Sequence, residues 1–508
     1  MWQYAPFRTI LHAESMLGGI GLVRDILIIG GGVVGCSIAR ELSAYQASIT
    51  LIERGADIAE GASKANSGIV HAGFDAKPGS VKARLNVEGN RMFAAYCHEV
   101  NAPYVQSGAM VLAFEEEQRE TVEKLYHQGL ANGVDGLSII ERDRILELEP
   151  NTNPEVVCAL LAETSGLTSP YELTFALADH AAVNGVEFLL NTEALIIRRK
   201  DGNFCVSTNH GDICVKILIN CAGTRSGVLH NQLSEKKLEI TPRKGEYYLL
   251  DHEIKPMFSR TMFQTPSKMG KGVLVSPTAH KTLLLGPSAQ DTDDDMDVST
   301  TAAALRIVRD KAFLTWPKES LRTVVTTFAG IRAHEKGDDF IVGAVDGVIG
   351  AYETVGIESP GLTATPAIAK ALCGQIVIEN KLLKKSEWKP VPERLKPFSD
   401  MNVAERQAAY EKNHEYGSIV CRCEQVTEAE IRTAIRRPVG AHTIDAVKRR
   451  TRAGMGRCQG GFCGPRVLEM IAEELGILPT EVTKGGGESR ILAGTIADAA
   501  RNVGKGNT

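Results

Sequence analysis

Four cysteines near the C-terminus have the residue type and the spacing of a metal site. One residue separates Cys421 from Cys423, and four residues separate Cys458 from Cys463. Thiolates bind zinc or an iron–sulfur cluster. Structural zinc usually takes Cys-x2-Cys pairs, and neither gap here matches them. Glycines surround the second pair, so backbone amides can approach the sulfurs and donate hydrogen bonds, which favours an iron–sulfur cluster over zinc.

Two further side chains have the chemistry of a proton acceptor and of an anion-binding group. His71 is the bulky residue of a loop of small residues, 61–73, and a neutral imidazole can accept a hydroxyl proton near pH 7. Arg332 can bind a carboxylate or a phosphate through two parallel hydrogen bonds. The alternatives are a structural histidine and an interdomain ion pair. His334 is expected on a sheet surface, and either Tyr247 or Tyr248 can face the site, since neighbouring strand residues alternate.

The element that must position these side chains lies between Asp25 and Glu53. An apolar run is followed directly by Gly30-Gly31-Gly32-Val33-Val34-Gly35, and a second apolar run ends at Glu53. In a strand–turn–helix–strand unit, Gly30 permits the tight turn, Gly32 lets a pyrophosphate approach and Gly35 lets the helix pack on the strand. Glu53 stands where an acid binds a ribose hydroxyl, and it argues against NADP. The pattern predicts a bound dinucleotide.

The remaining pattern predicts an α/β protein with a discontinuous Rossmann-like nucleotide-binding domain. Short alternating strands between Ile240 and Thr327 indicate an inserted antiparallel-sheet substrate domain. Prolines among charged residues predict a linker before a small helical C-terminal metal domain. Within that domain, Thr427-x-x-Glu430 is a capping box at the start of a helix. The expected divisions are an extension at 1–22, the nucleotide domain at 23–100, 150–240 and 329–383, the substrate domain at 101–149 and 241–328, the linker at 384–400, the metal domain at 401–483 and a flexible tail at 484–508.

Composition limits the other classes of function. Hydrophobic content is 43%, charged content 23% and the net charge −5, ordinary values for a soluble protein. We expect no nucleic-acid partner, no transmembrane segment and at most peripheral membrane contact. The basic run Lys448–Arg452 is interpreted as a solvated face, with compensation of an anionic cluster or docking of an acidic redox partner as alternatives. The other seven of the eleven cysteines are expected to be buried thiols in a reducing cytoplasm.

Several motifs resemble those of the glycine oxidase and D-amino-acid oxidase superfamily, and within it the FAD-dependent glycerol-3-phosphate dehydrogenases and oxidases. The resemblance covers residues 25–380 and rests on the fingerprint with Glu53, Ser67-Gly68-x-x-His71-Ala72-Gly73, Asn220-x-Ala222-Gly223, Gly330-x-Arg332 and Ile357-x-Ser359-Pro360-Gly361-Leu362. The C-terminal cysteines resemble the bacterioferritin-associated ferredoxin-like 2Fe-2S module.

The resemblance implies roles for particular residues. FAD would be held by Gly30, Gly32, Gly35, Glu53, Ser63, Asn66, Ser67, Gly68, Ala222, Gly223, Gly361 and Leu362. His71 would lie near the flavin, Arg332 would bind the substrate anion, and a lysine, Lys271 first and Lys268 second, would assist. The 2Fe-2S cluster would be held by Cys421, Cys423, Cys458 and Cys463.

The implied activity is FAD-dependent removal of hydride from a small anionic alcohol. Glycerol 3-phosphate is the first substrate, and a 2-hydroxyacid, an amino acid or an amine is the alternative. Electrons would pass through the cluster to a redox partner protein, or oxygen would reoxidise the flavin. An electron-transfer subunit of a larger complex is the alternative of another class.

Overall fold

The computed structural model describes residues 23–252, 257–266, 272–317 and 321–494. The expected extension, 1–22, and the end of the expected tail, 495–508, lie outside the described residues. The strands are β1 Arg24–Ile29, β2 Ile49–Ile52, β3 Ile69–Val70, β4 Tyr104–Val105, β5 Ala109–Ala113, β6 Leu137–Glu141, β7 Cys158–Ala162, β8 Gly166–Thr168, β9 Glu187–Leu189, β10 Ala194–Lys200, β11 Asn203–Thr208, β12 Gly211–Asn220, β13 Ile240–Leu250, β14 Thr261–Gln264, β15 Leu274–Pro277, β16 Leu283–Gly286, β17 Gln290–Asp291, β18 Val324–Glu335, β19 Ile341–Ala344, β20 Ala351–Val355, β21 Ile419–Cys421 and β22 Val426–Thr427.

The helices follow the same alternation. They are α1 Val33–Leu42, α2 Val81–Glu99, α3 Arg119–Ala131, α4 Arg142–Leu148, α5 Pro170–Val183, α6 Ser226–Leu233, α7 Ala302–Thr315, α8 Gly361–Asn380, α9 Val403–Lys412, α10 Glu428–Arg436, α11 Ile444–Thr451 and α12 Gly464–Leu475.

The first sheet carries the fingerprint. Its order is β10-β11-β12-β1-β2-β9, with β20 also beside β12 and β19 beside β20. Strand β1 pairs in parallel with β2 and β12, and its residues from Ile26 to Ile29 are almost fully buried. A strand covered on both faces needs an uninterrupted apolar run, which explains why this stretch is apolar throughout. Helices α1, α5 and α8 pack in the same core.

The second sheet forms the wall opposite the fingerprint. Its order is β17-β13-β16-β15-β14-β5-β7-β6, and β18 pairs antiparallel with β13 along its whole length. Strand β7 belongs to this sheet, although the sequence analysis placed residues from 150 onward in the nucleotide domain. Helix α7 interrupts the region that was expected to contain only short strands. Its buried Ala304, Val308 and Ala312 recur every four residues, a helical period.

An unpredicted antiparallel meander, β10 to β12, extends the first sheet. Asp201 and Gly202 form the turn between β10 and β11, and both have positive φ, as in a two-residue hairpin. Cys205 and Cys214 lie directly opposite one another on β11 and β12 and form a disulfide. The prediction that both are free thiols is therefore wrong, because the hairpin register brings their Cα atoms within 4.1 Å.

The C-terminal domain packs against the nucleotide domain through its basic run. Arg450 forms two 2.7 Å hydrogen bonds to the two carboxylate oxygens of Asp57, and Arg449 contacts the same carboxylate at 2.9 Å. The side chains of Asp57 and Arg450 are only 1% and 3% exposed. The interpretation of this run as a solvated face is wrong, because these charges are neutralised by acids of the preceding domain.

The two segments expected to be linker and tail are packed where they are described. In the linker, Trp388 donates to Ser43 Oγ at 3.0 Å, and the Lys389 amide donates to Asn184 Oδ1 at 2.7 Å. In the tail, Lys484 pairs with Asp445 at 2.7 Å. The linker therefore runs along the nucleotide domain as a strap.

Helix α8 is long and apolar enough to cross a membrane by length and composition alone. Its sequence was not predicted to be a transmembrane segment, and polar residues and Pro366 interrupt its apolar run. Within the protein, 61% of its most apolar window is buried, and the helix packs on α1 and α2. It is therefore accounted for as a core helix.

Candidate functional site

A cavity of about 2200 Å³ lies between the two sheets. It begins at the β1–α1 turn and ends against β13 and β18. Of the predicted site residues, those lining it are Gly30, Gly32, Gly35, Glu53, Ser63, Asn66, Ser67, His71, Ala222, Gly223, Arg332, Gly361 and Leu362. The fold thus brings together residues separated by more than three hundred positions.

The three fingerprint glycines answer different requirements. A Cβ on Gly30 would lie 2.3 Å from the Cys221 carbonyl oxygen, and a Cβ on Gly35 would lie 2.0 Å from the Gly30 carbonyl oxygen. Both positions are therefore closed by the protein itself. A Cβ on Gly32 would come no closer to a protein atom than 3.3 Å, at Ser63 Oγ, and would project into the cavity. Gly32 therefore leaves space for a ligand at the N-terminus of α1, where a pyrophosphate fits.

The loop after Glu53 is shaped by its own side chains. Asn66 accepts from the Gly68 amide at 2.8 Å and donates to the Ala62 carbonyl oxygen at 2.9 Å. Ser63 Oγ accepts from the Val33 amide at 2.9 Å, which caps α1. Gly68 does not line the cavity; a Cβ there would lie 2.4 Å from the Thr168 carbonyl oxygen. Asn66 and Gly68 thus shape the backbone of the wall.

Glu53 sits at the dinucleotide end of the cavity. Its carboxylate accepts from the Gly31 amide at 2.7 Å and from the Gly55 amide at 2.8 Å. Burial raises the pKa of Glu53, although these two amide hydrogen bonds act in the opposite direction. The acid is therefore held in place beside the β1–α1 turn, as a ribose-binding carboxylate requires.

His71 lines the cavity, and hydrogen bonds fix its backbone on both sides. Its amide donates to Thr363 Oγ1 at 2.9 Å, and its carbonyl oxygen accepts from Asn90 at 3.0 Å. Its Nε2 lies 3.3 Å from Ser359 Oγ, and the ring is 7% exposed. The ring lies 5.8 Å from that of Phe263. The imidazole is thus a buried polar group oriented at the cavity wall.

Arg332 projects into the same cavity from β18. Its Nε is buried and makes no hydrogen bond within the described residues, and its Nη2 lies 3.5 Å from the Ser288 carbonyl oxygen. A half-buried guanidinium whose Nε is a buried, unused donor is suited to an anionic ligand. The glycine of the Gly330-x-Arg332 motif is required by close packing, since a Cβ on Gly330 would lie 2.0 Å from the Ala65 carbonyl oxygen.

Other cavity residues were not assigned by sequence reasoning. Tyr247 lines the cavity and stacks on Phe328, with ring centroids 4.8 Å apart, whereas Tyr248 packs in the substrate-domain core. His334 also lines the cavity and lies 3.0 Å from a Glu358 carboxylate oxygen. Lys271 and Lys268 lie outside the described residues.

The four C-terminal cysteines converge as two pairs. Cys423 Sγ lies 3.8 Å from Cys458 Sγ, and Cys421 is hydrogen-bonded to Cys463. The Cys463 bond lowers the pKa of Cys421 to about 6, with further lowering by the Gly454 and Glu424 amides. The Phe462 amide, followed by the Gly460 amide, lowers the pKa of Cys458. Backbone amides therefore donate to the sulfurs of Cys421 and Cys458, as the sulfurs around an iron–sulfur cluster require.

The separation of the pairs discriminates between metals. One tetrahedral zinc ion would bring four sulfurs mutually within about 4 Å. Among the described residues, the group with three ligand atoms within 4.8 Å of one another is His334, Asp338 and Glu358, not the cysteines. In that group Lys82 already supplies a cation, 2.8 Å from Asp338 and 3.3 Å from Glu358. Two separated thiol pairs fit a cluster of two irons.

Comparison with protein families decides the nature of the dinucleotide. Residues 25–375 match FAD dependent oxidoreductases of the DAO family. The chain belongs to this family. Residues 419–473 match the BFD-like 2Fe-2S binding domain. The expected α/β fold, FAD and the 2Fe-2S cluster are therefore confirmed, and the cavity of this DAO-family oxidoreductase is its FAD site.

Individual relatives cover most of the chain. A glycerol 3-phosphate dehydrogenase of Caloramator mitchellensis is 44% identical over 92% of this chain and 98% of that protein. The dithionite-reduced L-alpha-glycerophosphate oxidase of Mycoplasma pneumoniae with FAD bound has a TM-score of 0.70 at 32% identity, covering 74% of this chain and 99% of that one. A mitochondrial L-2-hydroxyglutarate dehydrogenase of Bos taurus is 30% identical over 52% of this chain and 60% of that protein.

Proposed function

We propose that this DAO-family oxidoreductase oxidises sn-glycerol 3-phosphate to dihydroxyacetone phosphate. The observation that carries the proposal is the pairing, in one FAD cavity, of a positioned imidazole, His71, with a guanidinium, Arg332, that retains a buried unused donor. A secondary alcohol with a phosphate group needs both a proton acceptor and an anion-binding group.

The chemistry of alcohol oxidation indicates a separate role for FAD, for His71 and for Arg332. Bound FAD supplies the acceptor for the hydride that leaves C2 with its bonding electrons. We assign His71 to accept the proton of the C2 hydroxyl, so that the carbonyl forms as the C–H bond breaks. Arg332 binds the phosphate and orients the substrate. The 3.3 Å contact of Nε2 with Ser359 Oγ supports this role, because it orients the ring.

The relatives favour glycerol 3-phosphate over 2-hydroxyglutarate as the substrate. The glycerol 3-phosphate dehydrogenase aligns with this chain across both domains, whereas the 2-hydroxyglutarate dehydrogenase aligns over 60% of its own length. Coverage of both domains favours glycerol 3-phosphate as the substrate.

We also propose that electrons leave through the cluster to a partner protein. Cys421 and Cys463 are buried, but Cys423 is exposed, and the ring of Phe462 on the same loop is 89% exposed. The cluster site thus faces solvent at Cys423, and the loop between Cys458 and Cys463 also exposes the aromatic side chain of Phe462. That edge is where a one-electron carrier could approach closely.

The test is anaerobic addition of candidate substrates to the purified holoenzyme while flavin absorbance is recorded. We expect sn-glycerol 3-phosphate to bleach the flavin at least about a hundredfold more efficiently than L-2-hydroxyglutarate, glycine or L-proline, because a site built for a phosphate leaves buried donors unpaired with the others. Faster bleaching by L-2-hydroxyglutarate would identify a 2-hydroxyacid enzyme. If no substrate bleaches the flavin but a reduced carrier protein does, the chain is an electron-transfer subunit.

A further inference from the structure

The contact between the two cofactor domains is buried and ionic. Arg450 grips Asp57 with two 2.7 Å hydrogen bonds, and its guanidinium lies 3.9 Å from the ring centroid of Phe175. Arg449 bridges Asp57 at 2.9 Å and Glu60 at 2.5 Å. Removing one partner of a buried ion pair destabilises the protein, because the remaining charge is left unpaired and away from water.

The acids of this contact belong to the loop that encloses the dinucleotide end of the FAD cavity. Glu60 lines the cavity itself. Between the two acids, the Ala59 amide donates to the Gly31 carbonyl oxygen at 2.9 Å, and a Cβ on Gly31 would lie 3.1 Å from the Ile58 side chain. The segment that meets the 2Fe-2S domain on one side is thus bonded to the fingerprint turn on the other.

The segment that follows the 2Fe-2S domain makes a second contact with the loop 54–60. The segment after the cluster domain places Gly486 against Ala56, where a Cβ would lie 2.3 Å from the Ala56 Cβ, and Gly485 lines the FAD cavity. In addition, Asp179 on α5 accepts from the Val439 amide at 2.9 Å and pairs with Arg437. The C-terminal region therefore contacts the nucleotide domain at several points, and those on the loop 54–60 lie at the dinucleotide end.

We infer that the 2Fe-2S domain is a structural part of the FAD site. By pairing Asp57 and Glu60, Arg449 and Arg450 hold the loop 54–60 against the fingerprint turn, so that FAD is retained more tightly when this domain is docked. Without the arginines, a buried carboxylate must gain water or a proton, and the loop that covers the dinucleotide opens. By reciprocity, bound FAD must strengthen the docking of the domain. The inference concerns cofactor binding and does not depend on the identity of the substrate.

The first test compares FAD affinity among full-length variants with their clusters loaded. In Asp57→Asn and Arg450→Gln, we expect the Kd for FAD, measured from the fluorescence of released flavin, to rise about tenfold or more. Arg436→Gln is the matched control, because Arg436 is 57% exposed and pairs at 2.6 Å with Glu474 of its own domain. Its Kd should stay within about twofold of the parent. The visible circular dichroism of the cluster should be unchanged in all three.

The second test needs no variant. In the parent chain with FAD removed, amide hydrogen exchange in α11 should be faster than in the FAD-loaded chain, whereas α12, on the other side of the same domain, should change little. Docking independent of FAD would instead leave exchange in α11 unchanged. That result, or parental FAD affinity in both Asp57→Asn and Arg450→Gln with intact clusters, would overturn the inference.

Discussion

Two regions on either side of the loop 54–60, the fingerprint turn and the basic helix α11, both bear on FAD but differ in how their sequences specify structure. Two glycines of the turn, Gly30 and Gly35, are required by neighbouring backbone atoms, the carbonyl oxygens of Cys221 and Gly30. The arginines of α11 owe their burial to Asp57, which lies 392 positions before Arg449. A short-range steric requirement leaves a recognisable pattern, whereas a charge has meaning only once its partner is known.

The largest expected effects separate two glycines of the turn. Gly35→Ala places a methyl group 2.0 Å from the Gly30 carbonyl oxygen, and should lower the free energy of unfolding of the FAD-free protein by about 3 kcal/mol. Gly32→Ala meets only Ser63 Oγ at 3.3 Å, so it should fold normally but bind FAD about a hundredfold more weakly, since it blocks a charged ligand's hydrogen bonds. Denaturation and flavin content measure the two effects. Equal losses of stability in both would contradict the distinction.

Arg332 provides a further comparison, because a motif assigned its role although it lies far from the fingerprint in the sequence. Arg332→Leu should raise KM for sn-glycerol 3-phosphate by about 10- to 150-fold, with a smaller change in kcat, because a charge-assisted hydrogen bond to the anion is lost. Steady-state kinetics with an artificial acceptor provide the measurement. Arg198→Leu, at an exposed position on β10, is the control. An unchanged KM in Arg332→Leu would exclude its role in anion binding.

The smallest effect concerns acid pH and the basic helix. Burial alone would raise the pKa of Asp57, but the charges of Arg450 and Arg449 outweigh it and hold the pKa below its usual value. A carboxyl whose pKa is lower in the folded state stabilises the fold at neutral pH and loses that contribution as pH falls below about 4. Denaturation at pH 7 and pH 3.5 should therefore show the parent's advantage over Asp57→Asn shrinking at the lower pH. A constant advantage would show that the carboxylate's charge does not matter.

The parts predicted from sequence are those whose cause lies nearby in the chain. The fingerprint and the capping box in which Thr427 accepts from the Glu430 amide were both recognised from local residues. The meander β10 to β12 was missed although Asp201-Gly202 is a strong hairpin signal, and the Cys205–Cys214 pair was missed with it. The basic run could not be interpreted correctly, because its charge has a solvated and a paired explanation that only tertiary structure separates.

The most direct test of the account extends the anaerobic experiment to both cofactors. Sn-glycerol 3-phosphate is added to the holoenzyme without oxygen, and flavin absorbance and the electron paramagnetic resonance signal of the reduced cluster are followed together. The account predicts that the flavin bleaches and that the cluster signal then appears in the same sample. A flavin that stays oxidised with sn-glycerol 3-phosphate, in enzyme that dithionite reduces fully, would contradict it.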